Sequence, residues 1–268
     1  MSSRLFLVEG LPCSGKSSAS KYIAEELSRQ GKNVKYFDEG QGGHPADYEF
    51  SAFIPESSMN EFSSKEQTEL KSHSEKRCGG FVVALGELHG ELFDKAIRFK
   101  IYDNLDWETE MPVMLEKWRS FGQSVKEDEI YVFNCCFLQN PMCETMMRFN
   151  FPVERSAEYI GSIYKEIKHL EPRVVYMIRT DTADAVRNAL PERGEEWLNA
   201  VIDYHVNGDY GRSNRLIGFE GYIECLNERQ KREMDILKKL NIPSLFCNVN
   251  QNGWDEAYNE ISTFISEK

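Results

Sequence analysis

Leu5-Phe6-Leu7-Val8-Glu9-Gly10-Leu11-Pro12-Cys13-Ser14-Gly15-Lys16-Ser17-Ser18 is the stretch from which the fold of this 268-residue chain is read. Residues 5–9 form a short, mostly apolar run, which suits a strand buried on both faces of a parallel sheet. A turn must follow at Gly10. Residues 10–17 match G-x-x-x-x-G-K-[ST]. Beyond them Ala19, Ile23 and Leu27 fall at i, i+4 and i+8, with Gly31 as a stop, so residues 16–29 predict an amphipathic helix. The glycines let the backbone turn with its N–H groups inward, and the helix N-terminus adds the positive end of its dipole. Such a loop cradles a di- or triphosphate. Its binding residues are then Gly10, Pro12, Cys13, Ser14, Gly15, Lys16, Ser17 and Ser18, with Lys16 reaching the β- and γ-phosphates and the Ser17 hydroxyl taking a Mg²⁺ position. Chance produces the string in roughly one chain of this length per hundred at ordinary residue usage, before strand and helix context is required.

Outward from this stretch, residues 34–37 predict a second strand, which completes a strand-turn-helix-strand unit. Residues 130–133, 174–178 and 244–247 have the same character. Helix-length segments lie between and after them, for example at 182–190, 221–240 and 255–265. Five short strands alternating with helices argue for a single α/β domain over 1–268. The stretch 40–128 breaks the alternation, with a serine-rich part (57–74), an apolar patch (81–85) and helix-like segments near 92–105 and 111–121. It reads as a mostly helical insertion between the second and third strands. G-x-G-x-x-G is absent, which disfavours a dinucleotide site.

Lys and Arg number 32 against 44 Asp and Glu, a formal net charge of −12 that repels phosphate backbones and anionic lipid heads. Nucleic acid and membrane surface are therefore poor partners, and small-molecule chemistry is favoured. No run approaches the ~18 consecutive apolar residues of a membrane span, and the start lacks a signal-peptide layout, so a cytoplasmic location is expected. Seven cysteines, an odd number without C-x-x-C spacing, read as reduced thiols, and five dispersed histidines offer no metal-ligand spacing.

The loop, its lead-in Phe6-Leu7-Val8-Glu9-Gly10, and the run Val175-Tyr176-Met177-Ile178-Arg179-Thr180 leading to Arg187 and Arg193-Gly194-Glu195-Glu196 resemble the P-loop nucleoside and nucleotide kinases, in particular the thymidylate-kinase and deoxynucleoside-kinase group. Matching segments cover about a third of the chain, and the loop is the specific part. The resemblance implies a three-layer P-loop kinase fold, a five-stranded parallel sheet in order 2-3-1-4-5 with helices on both faces. It also implies ATP as phosphoryl donor with Mg²⁺, and a lid over about 187–212 whose Arg187 and Arg193 close over the phosphates. A homodimer is compatible with it. Two departures stand out. Asn134-Cys135-Cys136 occupies the place where the group carries Glu-Arg-Ser or another acid, and the insertion 40–128 replaces the region that holds the acceptor.

Asp38-Glu39-Gly40 follows the second strand, and strand ends of a parallel sheet point into the ligand crevice. The resembled deoxynucleoside kinases place a catalytic carboxylate there. Glu39, or Asp38, is thus the candidate base, with Asp38 also a Mg²⁺ partner through water; a solvated turn would use the same residues. His44 either lines the acceptor pocket or braces its turn. Arg179, Arg187 and Arg193 either meet transition-state charge or pair with surface acids. The aromatic-rich segment from Trp197 to Tyr222 either faces a ligand or belongs to the core. The expected activity is ATP- and Mg²⁺-dependent phosphoryl transfer to a small-molecule acceptor, a nucleoside or nucleotide first and an antibiotic or other metabolite second. The alternative is a nucleotide-binding regulatory module with weak or no transfer. A P-loop GTPase is disfavoured, because N-K-x-D is absent.

Overall fold

The apolar run at the start of the chain forms β1 (Leu5–Gly10), buried along its whole length, and α1 (Lys16–Arg29) turns Ala19, Ile23 and Leu27 inward. The computed structural model describes residues 3–267. After β2 (Asn33–Phe37) come β3 (Ser51–Pro55), α2 (Ser64–Ser72), β4 (Ser74–Arg77), β5 (Gly80–Ala84), α3 (Gly90–Ala96) and α4 (Trp107–Ser124). They are followed by β6 (Glu129–Asn134), α5 (Gln139–Met142), α6 (Val153–Ile167), β7 (Arg173–Met177) and α7 (Thr182–Arg193). The chain closes with α8 (Glu195–Val206), α9 (Asp209–Ser213), α10 (Gly218–Lys239), β8 (Ser244–Cys247) and α11 (Val249–Ser266).

The described residues divide into two compact units, one of residues 3–39 and 125–267, the other Gly40–Ser124. The first is built on a five-stranded, all-parallel sheet in order β2-β6-β1-β7-β8. Its labels differ from the expected 2-3-1-4-5 because the second unit contributes three strands of its own. Counted among the sheet's own members, the order is second, third, first, fourth, fifth. Alternate residues of a strand face opposite sides. Phe6, Val8, Val175 and Met177 therefore pack under α1 and α11 against Ile23, Leu27 and Ile261, while Tyr176 turns to the other side and donates to Glu233 of α10. Helices thus cover both faces of the sheet.

The unit Gly40–Ser124 holds more helix than strand, and beside its helices it carries a three-stranded antiparallel sheet, β3-β5-β4, which the sequence reading did not include. Cys78 and Gly79, with φ of 45° and 76°, make the two-residue turn between β4 and β5. Two successive positive φ values give a turn whose twist matches that of paired strands. β4, Ser74-Glu75-Lys76-Arg77, has no apolar member to betray it in the sequence. This unit has its own core, with Ile54, Leu70, Val83 and Leu92 at its centre. Trp118 of α4 is fully buried and packs edge-on to Phe121. Trp118→Ala is expected to destabilise this unit by about 3–5 kcal/mol, since a buried indole leaves a cavity that neighbours only partly fill. Chemical denaturation followed by fluorescence of the remaining tryptophans checks it; an unchanged midpoint would place Trp118 outside the core.

Candidate functional site

The site starts where β1 gives way to α1. Gly10 leaves the strand with φ 142°, and a Cβ there would lie 2.5 Å from the Met177 carbonyl oxygen; Gly15 enters the helix with φ 93°, and a Cβ would lie 2.7 Å from the Trp254 ring. Only glycine fits either place. No side chain caps α1 and no acid stands in its first turn, so its leading N–H groups and the positive end of its dipole are available to an anion. Ser14 Oγ is buried inside the loop without a hydrogen-bond partner. Lys16, also buried, donates from Nζ to the Leu11 carbonyl at 3.0 Å, a neutral partner that leaves its charge free to act on an anion. A cradle of uncapped N–H groups, an orphaned hydroxyl and a desolvated ammonium fits a polyphosphate.

Asn134, at the end of β6, is fully buried and donates from Nδ2 to both Ser17 Oγ at 3.1 Å and Asp38 Oδ1 at 2.6 Å. A carboxylate only accepts, which fixes the amide's orientation. Asp38 also accepts the Glu39 N–H at 3.0 Å, and Lys21 Nζ stands 3.9 Å from its other oxygen. Asn134 is therefore a bridge that holds the Ser17 hydroxyl and the Asp38 carboxylate around one amide. Among the described residues no cluster of three or more His, Cys, Asp or Glu side chains could hold a metal. Two protein oxygens suit Mg²⁺, which keeps its waters and leans on phosphate oxygens.

Glu39 is held from the other side. Glu9, fully buried, accepts the backbone N–H groups of Cys136 at 3.1 Å, Phe137 at 2.8 Å and Gln139 at 3.2 Å, and so shapes the turn after β6. Burial, and then the Glu233 carboxylate, push Glu9 up to about 7, against the pull of the backbone N–H groups of Cys136, Phe137 and Leu138. Gln139, placed by that turn, donates from Nε2 to Glu39 Oε1 at 2.6 Å. Glu39 is open to the cavity, but protein surrounds its carboxyl on several sides. This desolvation raises its pKa, and the nearby Lys16 ammonium and the Gln139 amide outweigh it, so Glu39 titrates below the usual carboxylate range.

Residues 12–18 of the loop, Glu39 and Arg193 line one cavity of about 450 Å³, which lies wholly within the first unit. Gly10, the last residue of β1, and Asp38 do not line it; Asp38 is joined to Ser17 of the loop through Asn134. Arg193, at the end of α7, stacks over the Trp197 ring at 5.3 Å. Arg187 does not line the cavity, contrary to expectation. It is exposed, ion-paired with Asp184 and Glu220 at 3.3 and 3.7 Å, and lies over Phe219. Six residues of helix turn the side-chain direction by about 240°, so α7 cannot aim both arginines at one point. Arg179 braces strand to helix, with Nε 3.0 Å from Asp181 and Nη1 donating to Asn250. His44 Nδ1 accepts the Ala46 N–H at 3.2 Å and braces its own turn.

Cys143, His205, Tyr222 and Arg229 also line the cavity. Sequence reasoning missed Arg229, whose i, i+4 spacing to Glu233 imitates a surface ion pair; here both are buried, 3.3 Å apart. Tyr222 lies in the aromatic-rich segment, for which a core role and a ligand role were both open, and it is fully buried as well as lining. No protein-family model matches the chain, and no curated protein matches its sequence.

Proposed function

We propose that the protein is a Mg²⁺-dependent phosphotransferase of the P-loop kinase type, moving the γ-phosphoryl of ATP to a small-molecule acceptor, nucleoside or nucleotide first, in the cytoplasm. The observation that carries this reading is the convergence of Lys16, Glu39 and Arg193 with the glycine-bounded loop on one cavity. Bound Mg²⁺ would supply charge neutralisation between the β- and γ-phosphates.

The chain's own residues divide the remaining work. The N–H groups of the loop hold the phosphates, and Lys16 exchanges its Leu11 partner for phosphate oxygen. Ser17 and Asp38, tied together by Asn134, are the oxygens that would hold the metal. Glu39 is ionised at neutral pH, so it can orient an acceptor hydroxyl and receive its proton. Arg193 can meet the charge spread over the equatorial oxygens at transfer.

Acceptor-stimulated ADP release across a metabolite panel tests the reading. ATP binding without stimulation by any acceptor would favour the rival, a nucleotide-binding module, for which the neutral Asn134 in place of an acid speaks. Arg193→Lys keeps the charge but loses the planar fork, so it is expected to lower kcat at least tenfold with little change in nucleotide affinity. Arg187→Lys, away from the cavity, serves as the control and should keep the wild-type kcat. Equal kcat for both variants and the wild type would remove Arg193 from the site.

A further inference from the structure

One wall of the cavity carries polar groups that the proposed transfer does not use. Arg229, 1% exposed, donates from Nη1 to the Cys143 sulfur at 3.6 Å and has Nε 3.3 Å from Glu233 Oε1, while its Nη2 has no hydrogen-bond partner. Glu233 is already engaged by the Tyr176 hydroxyl at 2.5 Å. Tyr222, 0% exposed, has a hydroxyl without a partner, and its ring meets His205 edge-on at 4.9 Å. His205, 6% exposed, has Nδ1 2.7 Å from the Val201 carbonyl. A carbonyl only accepts, so Nδ1 carries the proton. Burial, and then the Arg229 charge, push this histidine down to about 4, so at neutral pH its Nε2 is a bare acceptor, and it too lacks a partner.

Buried polar groups are paired in nearly all native structures. Three such groups, on residues that line one cavity, match a polar ligand in chemistry. Their chemistry is specific: a guanidinium that attracts an anion, a hydroxyl that can donate or accept, and a nitrogen that can only accept. We infer that Arg229, Tyr222 and His205 form a binding subsite for an oxyanion that also carries an O–H donor, such as a monoprotonated phosphate group. An oxyanion with no proton would set its lone pairs against His205 Nε2. That the oxyanion belongs to the phosphoryl acceptor rests on the function proposed above; the subsite itself does not.

Phosphate and sulfate separate these cases, because phosphate near pH 7 bears a P–O–H group and sulfate bears none. Each is titrated calorimetrically into the full chain with the loop filled by Mg²⁺ and saturating non-hydrolysable ATP analogue. Phosphate is expected to bind at least tenfold more tightly than sulfate. His205→Phe should weaken phosphate about tenfold and sulfate less than twofold, while Tyr222→Phe should weaken phosphate about tenfold and Arg229→Lys should weaken both anions. Should the buried Arg229→Lys fail to fold, Tyr222→Phe, which removes a single oxygen, still decides. Equal affinity for the two anions, no phosphate binding, or indifference to Tyr222→Phe overturns the subsite. If the analogue binds and phosphate does not, the subsite alone fails. If the analogue does not bind, while phosphate still outcompetes sulfate and responds to Tyr222→Phe but not to Lys16→Ala, the kinase reading fails and the subsite stands.

Discussion

Lys16→Ala is expected to lower acceptor-stimulated turnover by roughly 10³-fold or more while the protein stays folded. Removing one preorganised group that faces developing charge in a dry site costs that order in rate. Lys16 is buried, and Nζ donates to the neutral Leu11 carbonyl, so among the described residues no ion pair through a hydrogen bond ties its charge to the native loop. The alanine variant loses the attraction to Glu39 but also the cost of desolvating a buried ammonium, so it should melt near the wild-type temperature. Steady-state kinetics together with thermal unfolding check both halves. Near-wild-type turnover in a folded variant would remove the loop from catalysis; a collapsed melting temperature would mean that Lys16 is structural.

Glu39→Gln should lower kcat by roughly 10² to 10⁴ and leave ATP affinity near normal, because the substitution keeps the shape and removes the proton acceptor. Gln139 still has a carbonyl oxygen to bond in the variant, so the loop should hold its place. The pH profile adds an independent mark. Glu39 titrates below the usual carboxylate range, so wild-type kcat/KM should be flat through neutral pH and fall only in acid, as the carboxylate takes up its proton below that range. This acid limb should disappear in the variant. Asp38→Asn is the companion: it should raise the Mg²⁺ concentration needed for half-maximal rate, because Asp38 shares Asn134 with Ser17. Wild-type kcat in Glu39→Gln would leave deprotonation to the phosphate itself.

Local pattern carried much of this architecture. The helix expected over 16–29 and the strand over 244–247 agree with α1 and β8 residue for residue, and the other four strands of the parallel sheet agree within one residue at each end. Strand and helix periods are written in nearest neighbours, and the glycine spacing of the loop is a backbone requirement that leaves a mark in one dimension. The loop half of the site was legible for the same reason.

The tertiary structure decided the rest. The polar strand β4 pairs only because a tight turn returns it to β5, so no alternation announces it. Asn134 reads in sequence as a lost acid; the parallel register that sets it opposite Val8 brings it to Ser17 and Asp38, which lie 117 and 96 residues away. Glu9 looks like the polar end of a buried strand, and packing makes it the acceptor for a turn 127 to 130 residues later. Arg187 and Arg193 are equals in sequence until the pitch of α7 sends them to different sides, and Arg229, Tyr222 and His205 become one wall only when α8 and α10 pack together. Sequence by itself determined the strands of the parallel sheet and the glycine-bounded loop that opens α1, because both are local backbone properties. The side chains that complete the cavity were decided by sheet register and helix packing, which join residues that have no neighbourhood along the chain.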